Sequence, residues 1–66
     1  MIVFYKLWAL MEERSISTYY LREKAGIDSK TIRRLKNGEN TETKTLDKLC
    51  KALNCKLEDI AEYVED

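Results

Sequence analysis

The first segment of the chain has apolar residues at the spacing of one helix face. Its side chains at i, i+3, i+4 and i+7 are Phe4, Leu7, Trp8 and Met11. This spacing predicts a first helix that ends near Arg14. Residues 1–4 are β-branched and aromatic enough that a short extended arm is an alternative for the start of the chain.

Two short helices joined by a glycine turn are predicted in the middle of the chain. Ser17 is a suitable N-cap for a helix over residues 18–25. Gly26 follows that helix and supplies the left-handed residue that ends it. Asp28 is a suitable N-cap for a third helix, which extends to about Asn37 before an Asn-Gly turn.

The helical spacing occurs twice more in the last third of the chain. After the polar loop 39–44, the first stripe consists of Leu46, Leu49, Cys50 and Leu53. It predicts a fourth helix that ends at Asn54. The second stripe, which predicts a fifth helix, consists of Leu57, Ile60, Ala61 and Val64. Lys56 is a weak N-cap, so the start of this helix is not defined. The whole pattern predicts an all-α domain of five short helices.

Chain length and composition agree with one compact domain over residues 1–66. Such a chain is near the lower size limit for folding without a metal or disulfide. Its composition is 44% hydrophobic, with no Pro and two Gly, which is typical of a helical domain with a single core. No linker, repeat or low-complexity run divides it.

The formal net charge of zero is unevenly distributed along the sequence. Residues 1–56 hold all twelve Lys and Arg but seven acids, whereas residues 57–66 hold five acids and no base. The body is therefore basic and the end is acidic. Because the local field matters more than net charge for docking, binding to nucleic acid remains compatible with this composition.

Residues suited to catalysis or metal binding are scarce. The chain has no His, and its two cysteines, Cys50 and Cys55, cannot form a tetrahedral zinc site by themselves. We expect both to be buried, reduced thiols, with a short disulfide as the alternative. No phosphate-binding glycine loop or activated nucleophile is present, so we expect no enzymatic activity, cofactor or small-molecule ligand. The apolar N-terminus is too short for a signal peptide or membrane span, which favours a cytoplasmic protein.

The third predicted helix has one apolar face and one basic face. At about 100° per residue, Ile32 and Leu35 face inward. The opposite face carries Lys30, Arg33, Arg34 and Asn37. Lys36 lies at its edge, and residues 29–38 contain no acid. A basic face without ion-pair partners in its own helix indicates a surface that binds an anionic partner.

The two middle helices and the end of the chain resemble the Cro/C1-type family, also named XRE or lambda-repressor-like. The run Ser17–Gly38 looks like its helix-turn-helix, on the strength of Ala25-Gly26-Ile27, Ile32, Leu35 and Asn37-Gly38. The run Leu46–Ile60 is similar to its fourth and fifth helices. The resemblance implies a five-helix lambda-repressor-like fold, encoded by a bacterium or phage. It also implies a sequence-specific regulator of transcription, most simply a repressor, that places helix 28–37 in the major groove of duplex DNA.

The same resemblance assigns roles to individual residues. Base edges would be contacted by Ser29, Lys30, Arg33 and Arg34. Phosphates would be contacted by Thr18, Lys36, Asn37, Thr43 and Lys44. Thr18 departs from the Gln that many family members carry, and the charge of Asp28 opposes approach to DNA. Useful specificity from one small module implies a homodimer on a near-palindromic operator.

Several interpretations remain open from the sequence alone. Trp8 is interpreted as a core or half-buried anchor, with a dimer contact as the alternative. Tyr19 and Tyr20 are bulky for the start of a helix, so one is expected to pack against the first helix and the other to meet a phosphate or partner. Tyr63 and Val64 are candidates for a dimer surface. The acidic segment 57–66 is a solvated end or a protein-binding surface, and the latter would suit an antitoxin-like or adaptor module in which DNA binding is secondary.

Overall fold

A computed structural model describes residues 1–65 as four α-helices packed around one core. The helices are α1 (Tyr5–Glu13), α2 (Thr18–Lys24), α3 (Ser29–Lys36) and α4 (Thr43–Leu53). A 3₁₀ turn follows at Leu57–Asp59. Two short strands, β1 (Ile2–Val3) and β2 (Glu62–Tyr63), pair antiparallel at the ends of the chain. The fold is therefore mostly helical, and the stripes that predict α1 and α4 coincide with real helices. Asp66, the last residue of the acidic segment, lies outside the described residues.

The core consists of the inward faces of all four helices and three residues outside them. Within residues 1–65 the fully buried side chains are all apolar: Phe4, Leu7, Met11, Leu21, Ile27, Ile32, Leu35, Leu49, Leu53 and Ile60. Trp8 is half-buried against this cluster, as an anchor residue should be. Cys50 and Cys55 are free thiols that also pack partly buried against it, and burial raises the pKa of Cys55.

The predicted fifth helix is wrong. After the 3₁₀ turn the chain becomes extended, and only Ile60 of its apolar stripe is fully buried. Asp59 accepts a hydrogen bond from the backbone N–H of Lys56 at 2.9 Å, which stabilises one tight turn. Glu62 and Tyr63 then pair with β1 at the other end of the chain. The β-branched and aromatic residues at the N-terminus favour the extended conformation that this pairing requires.

The extended arm, given as the alternative for residues 1–4, is confirmed. Ile2 lies opposite Tyr63, and Val3 lies opposite Glu62. The phenol of Tyr5 donates to the Glu62 carboxylate at 2.8 Å, and the Lys6 ammonium lies 3.2 Å from it. These contacts join the end of the chain to the start of α1.

Helix ends are closed largely as the sequence predicts. Gly26 adopts a left-handed φ of +70° after α2, and Asn54 adopts a φ of +50° after α4. The guanidinium of Arg14 donates to the carbonyl of Leu53 at the end of α4, where a cation is favoured. Ser17 precedes α2, although its side chain makes no capping hydrogen bond. None of the helices within residues 1–65 is both long and apolar enough to cross a membrane.

Candidate nucleic-acid interface

Helix α3 is fixed at its start by a side-chain cap and along its length by two core residues. Asp28 Oδ1 accepts a hydrogen bond from the Thr31 N–H at 2.8 Å. Hydrogen bonds with Thr31 lower the pKa of Asp28, so this carboxylate stays ionised at neutral pH. Ile32 and Leu35 are buried. The opposite face of α3 is consequently held outward.

The turn between α2 and α3 is closed by backbone hydrogen bonds and supported by α4. The N–H of Ile27 donates to the Leu21 carbonyl at 3.2 Å, and the Ile27 side chain is buried. The ammonium of Lys48 lies 3.5 Å from the Gly26 carbonyl. Two short helices joined by such a tight glycine turn form a helix-turn-helix arrangement.

The outward face of α3 is basic. Lys30, Arg33 and Arg34 are all exposed, and none of the intervening residues is acidic. By helix geometry Lys30 projects between Arg33 and Arg34, which lie about 100° apart around the helix axis. The result is a cationic ridge flanked by one cleft on each side.

The first cleft lies between the start of α2 and α3. Its lining includes Thr18, Arg22, Ser29, Ile32, Arg33, Lys36 and Asn37. Five of the nine predicted site residues therefore meet on this side. Its walls carry three cations and no carboxylate, so it is a suitable surface for a phosphate backbone.

The second cleft lies between α3 and the start of α4. Its lining consists of Thr31, Arg34, Asn40, Thr41, Glu42, Lys44, Thr45 and Lys48. Arg34 and Lys44 are thus brought to one surface, although 10 positions separate them in the sequence. Glu42 adds a negative charge to this cleft, which makes it less uniformly basic than the first.

Thr43 and Lys30 belong to neither cleft. Thr43 is the exposed first residue of α4 and lies at the rim of the second cleft by its position between Glu42 and Lys44. Lys30 lies on the ridge itself. All nine predicted residues consequently occur on or beside the face formed by α3 and the starts of α2 and α4.

The architecture and the basic ridge agree with a sequence comparison. Residues 6–66 match the family model of the Cro/C1-type HTH DNA-binding domain. This chain belongs to the Cro/C1-type family.

A solved structure is similar to this Cro/C1-type domain over nearly its whole length. The crystal structure of the transcriptional regulator VanUg, form II, superposes with a TM-score of 0.90 at 32% sequence identity. The match covers 98% of this chain and 87% of the other. No curated protein sequence matches the chain.

Two cations that line the clefts of the Cro/C1-type domain were not predicted from the sequence. Arg22 lines the first cleft, where its guanidinium lies 3.5 Å from the Ser29 hydroxyl and 5.8 Å from the centroid of the Tyr19 ring. Lys48 lines the second cleft. Each follows a predicted site residue by one helical turn, Arg22 after Thr18 and Lys48 after Lys44. This i, i+4 spacing is the signal that could have identified them.

The two tyrosines of α2 have separate surroundings. The phenol of Tyr20 reaches the Ala52 carbonyl at 3.4 Å and so links α2 to α4. Tyr19 is 61% exposed, and its phenol lies 3.5 Å from Glu23. Tyr19 is therefore the tyrosine that remains accessible near the first cleft.

Proposed function

We propose that this Cro/C1-type domain is a sequence-specific regulator of transcription that binds duplex DNA and represses by occupying an operator. The observation that best supports the proposal is the ridge of Lys30, Arg33 and Arg34, which projects from a capped and anchored helix and faces no acid within residues 29–38. A helix fits the major groove, where the base pairs are distinguishable.

In this proposal the exposed start and outer face of α3 read the bases. Ser29 and Lys30 lie in its first turn, and Arg34 follows Lys30 by one turn. An arginine can donate two hydrogen bonds to guanine, which contributes about 1–3 kcal/mol of discrimination. Arg33 projects toward the first cleft and reaches either a base or a phosphate.

The clefts on either side of α3 would receive the two DNA backbones. Phosphate contacts are assigned to Thr18, Lys36, Asn37, Thr43 and Lys44. Asn37 donates a hydrogen bond to Glu39 at 3.4 Å, an exposed contact that a phosphate can replace at little cost. Such contacts fix the register of the domain without selecting a sequence.

We propose further that the regulator acts as a homodimer. A single α3 contacts only about one half-site, whereas two copies related by a two-fold axis read a near-palindrome with half-sites about 34 Å apart. The antitoxin-like or adaptor alternative depends on the acidic end of the chain. Glu62, one of those acids, already pairs with Tyr5 and Lys6, which favours the DNA-binding function.

Selection from a random duplex library with the purified protein tests the proposal. We expect one near-palindromic motif from the wild type at fixed moderate salt. The Lys30→Ala/Arg34→Ala variant should fold and select none. Recovery of no motif by folded wild-type protein would reject operator binding and favour the adaptor.

A further inference from the structure

The two thiols of the chain meet at the end of α4. Cys50 lies in the last turn of that helix, and Cys55 follows Asn54, the left-handed residue that ends it. Both thiols are free, and both side chains pack partly buried against the core. Neither cysteine lines the clefts beside α3, so DNA binding does not account for the pair.

The backbone holds the two cysteines close together. The Cys50 carbonyl accepts hydrogen bonds from the N–H groups of Asn54 and Cys55, the second at 3.1 Å. The second bond is the one by which a left-handed helix end folds the following chain back over the last turn. With ordinary bond lengths on either side of it, the two Cα atoms lie at most about 7 Å apart, which is the upper limit for a disulfide.

The two side chains converge as well. The thiol groups of Cys50 and Cys55 are hydrogen-bonding partners, so their sulfur atoms face each other. A disulfide between them is therefore within reach of side-chain rotation, without movement of the backbone.

A hydroperoxide is a suitable oxidant for this pair, since hydrogen peroxide is small and both thiols are partly exposed. The thiolate of one cysteine attacks a peroxide oxygen, the O–O bond breaks, hydroxide leaves, and the cysteine becomes a sulfenic acid. The second thiol then attacks the sulfenic sulfur, so that an S–S bond forms, the S–O bond breaks and water leaves. The peroxide gains the two electrons that the pair loses. The chain has no third cysteine, so no other thiol of the same chain can complete the second step.

The segment that a disulfide would bridge is a junction between helices. Arg14, at the end of α1, donates to the Leu53 carbonyl, and the phenol of Tyr20 in α2 donates to the Ala52 carbonyl at 3.4 Å. A bond across residues 50–55 would fix both carbonyls where these side chains meet them. It would also restrict the unfolded chain, which matters in a domain with one small core.

We propose that Cys50 and Cys55 form a reversible redox site, at which a hydroperoxide oxidises the pair to an intrachain disulfide that stabilises the fold and leaves the proposed DNA-binding face unchanged. This site is independent of operator binding, because it lies at the junction of α1, α2 and α4 and not on the ridge of α3. Burial and the neighbouring Cys50 thiol raise the pKa of Cys55. Little of Cys55 is thiolate at neutral pH, so the pair responds to sustained oxidant and not to a brief pulse.

Mass spectrometry of the full chain before and after hydrogen peroxide tests whether the disulfide forms. Trypsin cleaves after Lys48, Lys51 and Lys56, so the two cysteines fall on separate peptides that stay joined only by a disulfide. We expect the joined peptides at a mass lower by two hydrogens, about 2 Da, than the two reduced peptides together. Dithiothreitol should separate them. Cysteines that stay reduced, become sulfinic acids or link two chains would overturn the proposal.

Thermal unfolding of the same samples tests whether the disulfide stabilises the fold. The Tm of the oxidised protein should be higher by at least about 5 °C, and dithiothreitol should reverse the rise. A disulfide that leaves the Tm unchanged or lowers it would overturn the stabilising role.

A variant without thiols is the matched control, because peroxide also oxidises methionines such as Met1 and Met11. Cys50→Ser/Cys55→Ser keeps nearly the shape of both side chains and should show no rise in Tm after peroxide. A rise equal to that of the wild type would assign the stabilisation to other groups and overturn the proposal. If this variant does not fold, the joined peptides and the reversible Tm shift of the wild type still decide the question.

Binding to random duplex at low salt separates the redox site from the proposed function. Reduced and oxidised wild type should bind with dissociation constants within about twofold of each other, as expected for sites that share no contacts. A larger loss of affinity on oxidation would contradict an unchanged DNA-binding face. If neither form binds DNA while the disulfide forms and raises the Tm, the redox site stands and the proposed function alone is rejected.

Discussion

The ammonium group of Lys36 lies 5.9 Å from the centroid of the Trp8 ring, and this contact joins the last turn of α3 to α1. Lys36 also lines the first cleft, so the same cation borders the ring and the proposed path of a DNA backbone. Trp8 is the single tryptophan of the chain. Its fluorescence is therefore an internal reporter of events at the end of α3.

Removing the cation above the ring should alter the emission of Trp8 with a small loss of stability. For Lys36→Ala we expect a changed emission spectrum and a free energy of unfolding lower by about 0.5–1 kcal/mol, the usual size of an exposed cation–π contact. Fluorescence-monitored urea unfolding measures both. Lys51→Ala, which removes a charge from the exposed face of α4, is the control and should leave the spectrum unchanged.

Arg34 and Lys44 share a cleft, yet their replacement should affect DNA binding differently. Arg34→Ala should weaken binding to the selected operator by about 1–3 kcal/mol and binding to random duplex far less, since it removes the contact to a base that we propose for Arg34. Lys44→Ala should weaken binding to both DNAs equally and reduce the slope of log K against log salt by about one, since it removes the phosphate contact that we propose for Lys44. Fluorescence anisotropy at several salt concentrations provides these values. Equal losses on both DNAs for both variants would contradict the assigned roles.

Asp28 should make the stability of the domain sensitive to acid. Hydrogen bonds with Thr31 lower its pKa below the ordinary value of 3.8. A carboxyl whose pKa is lower in the folded state stabilises the fold above its unfolded pKa, and this contribution disappears as the pH falls through the lowered value. Asp28→Asn keeps an acceptor for the Thr31 N–H but does not titrate. We therefore expect it to lose less stability than the wild type between neutral pH and pH values below 3.8.

The same variants separate the capping role of Asp28 from the effect of its charge at the proposed DNA-binding face. Asp28→Ala removes the acceptor and should unfold at lower urea than Asp28→Asn at neutral pH. Asp28→Asn also removes a negative charge from the start of α3, so it should bind random duplex more tightly at low salt. If Asp28→Ala and Asp28→Asn were equally stable, the cap would have no energetic role.

The end of the chain should depend on Ile60 and not on Leu57 for stability. Ile60 is 0% and Leu57 51% exposed. Ile60→Ala should therefore lower the free energy of unfolding by about 2–4 kcal/mol, and Leu57→Ala by less than about 1 kcal/mol. The two free energies of unfolding are compared by urea unfolding, at a protein concentration low enough to keep the chain monomeric. If both variants lost a similarly large amount of stability, Leu57 would be buried as well as Ile60. This result would contradict the structure and favour an inward-facing fifth helix.

The helices that the sequence predicts correctly are those specified by neighbouring residues. The apolar stripe of α4 and the Asp28 cap of α3 are local signals, and both elements form where these signals occur. The stripe at Leu57, Ile60 and Val64 has the same spacing but forms a single 3₁₀ turn and no α-helix. This segment becomes extended because it pairs with Ile2 and Val3. A contact between opposite ends of a chain cannot be predicted from the local spacing of apolar residues.

In the candidate site too, some features follow from local sequence and others depend on contacts between helices. Helix spacing places Lys30 and Arg34 outward once Ile32 is taken as the inward residue, and the structure places both there. The remaining contacts of the site depend on how the helices pack against one another. The Arg22–Ser29 contact and the position of Lys36 above Trp8 each join two helices, and no single helix sequence contains that information.

Substitution of single base atoms in the selected operator is the most direct test of whether α3 reads base edges in the major groove. Replacing a guanine by 7-deazaguanine removes the N7 acceptor in the major groove, whereas replacing it by inosine removes the N2 amino group in the minor groove. We predict that 7-deazaguanine at one or more guanines of each half-site weakens binding of the wild type about tenfold. The same replacement should not weaken binding of the Arg34→Ala variant any further. Inosine at those positions should have little effect on binding of the wild type. Sensitivity to inosine without sensitivity to deazaguanine would contradict reading of the major groove by α3.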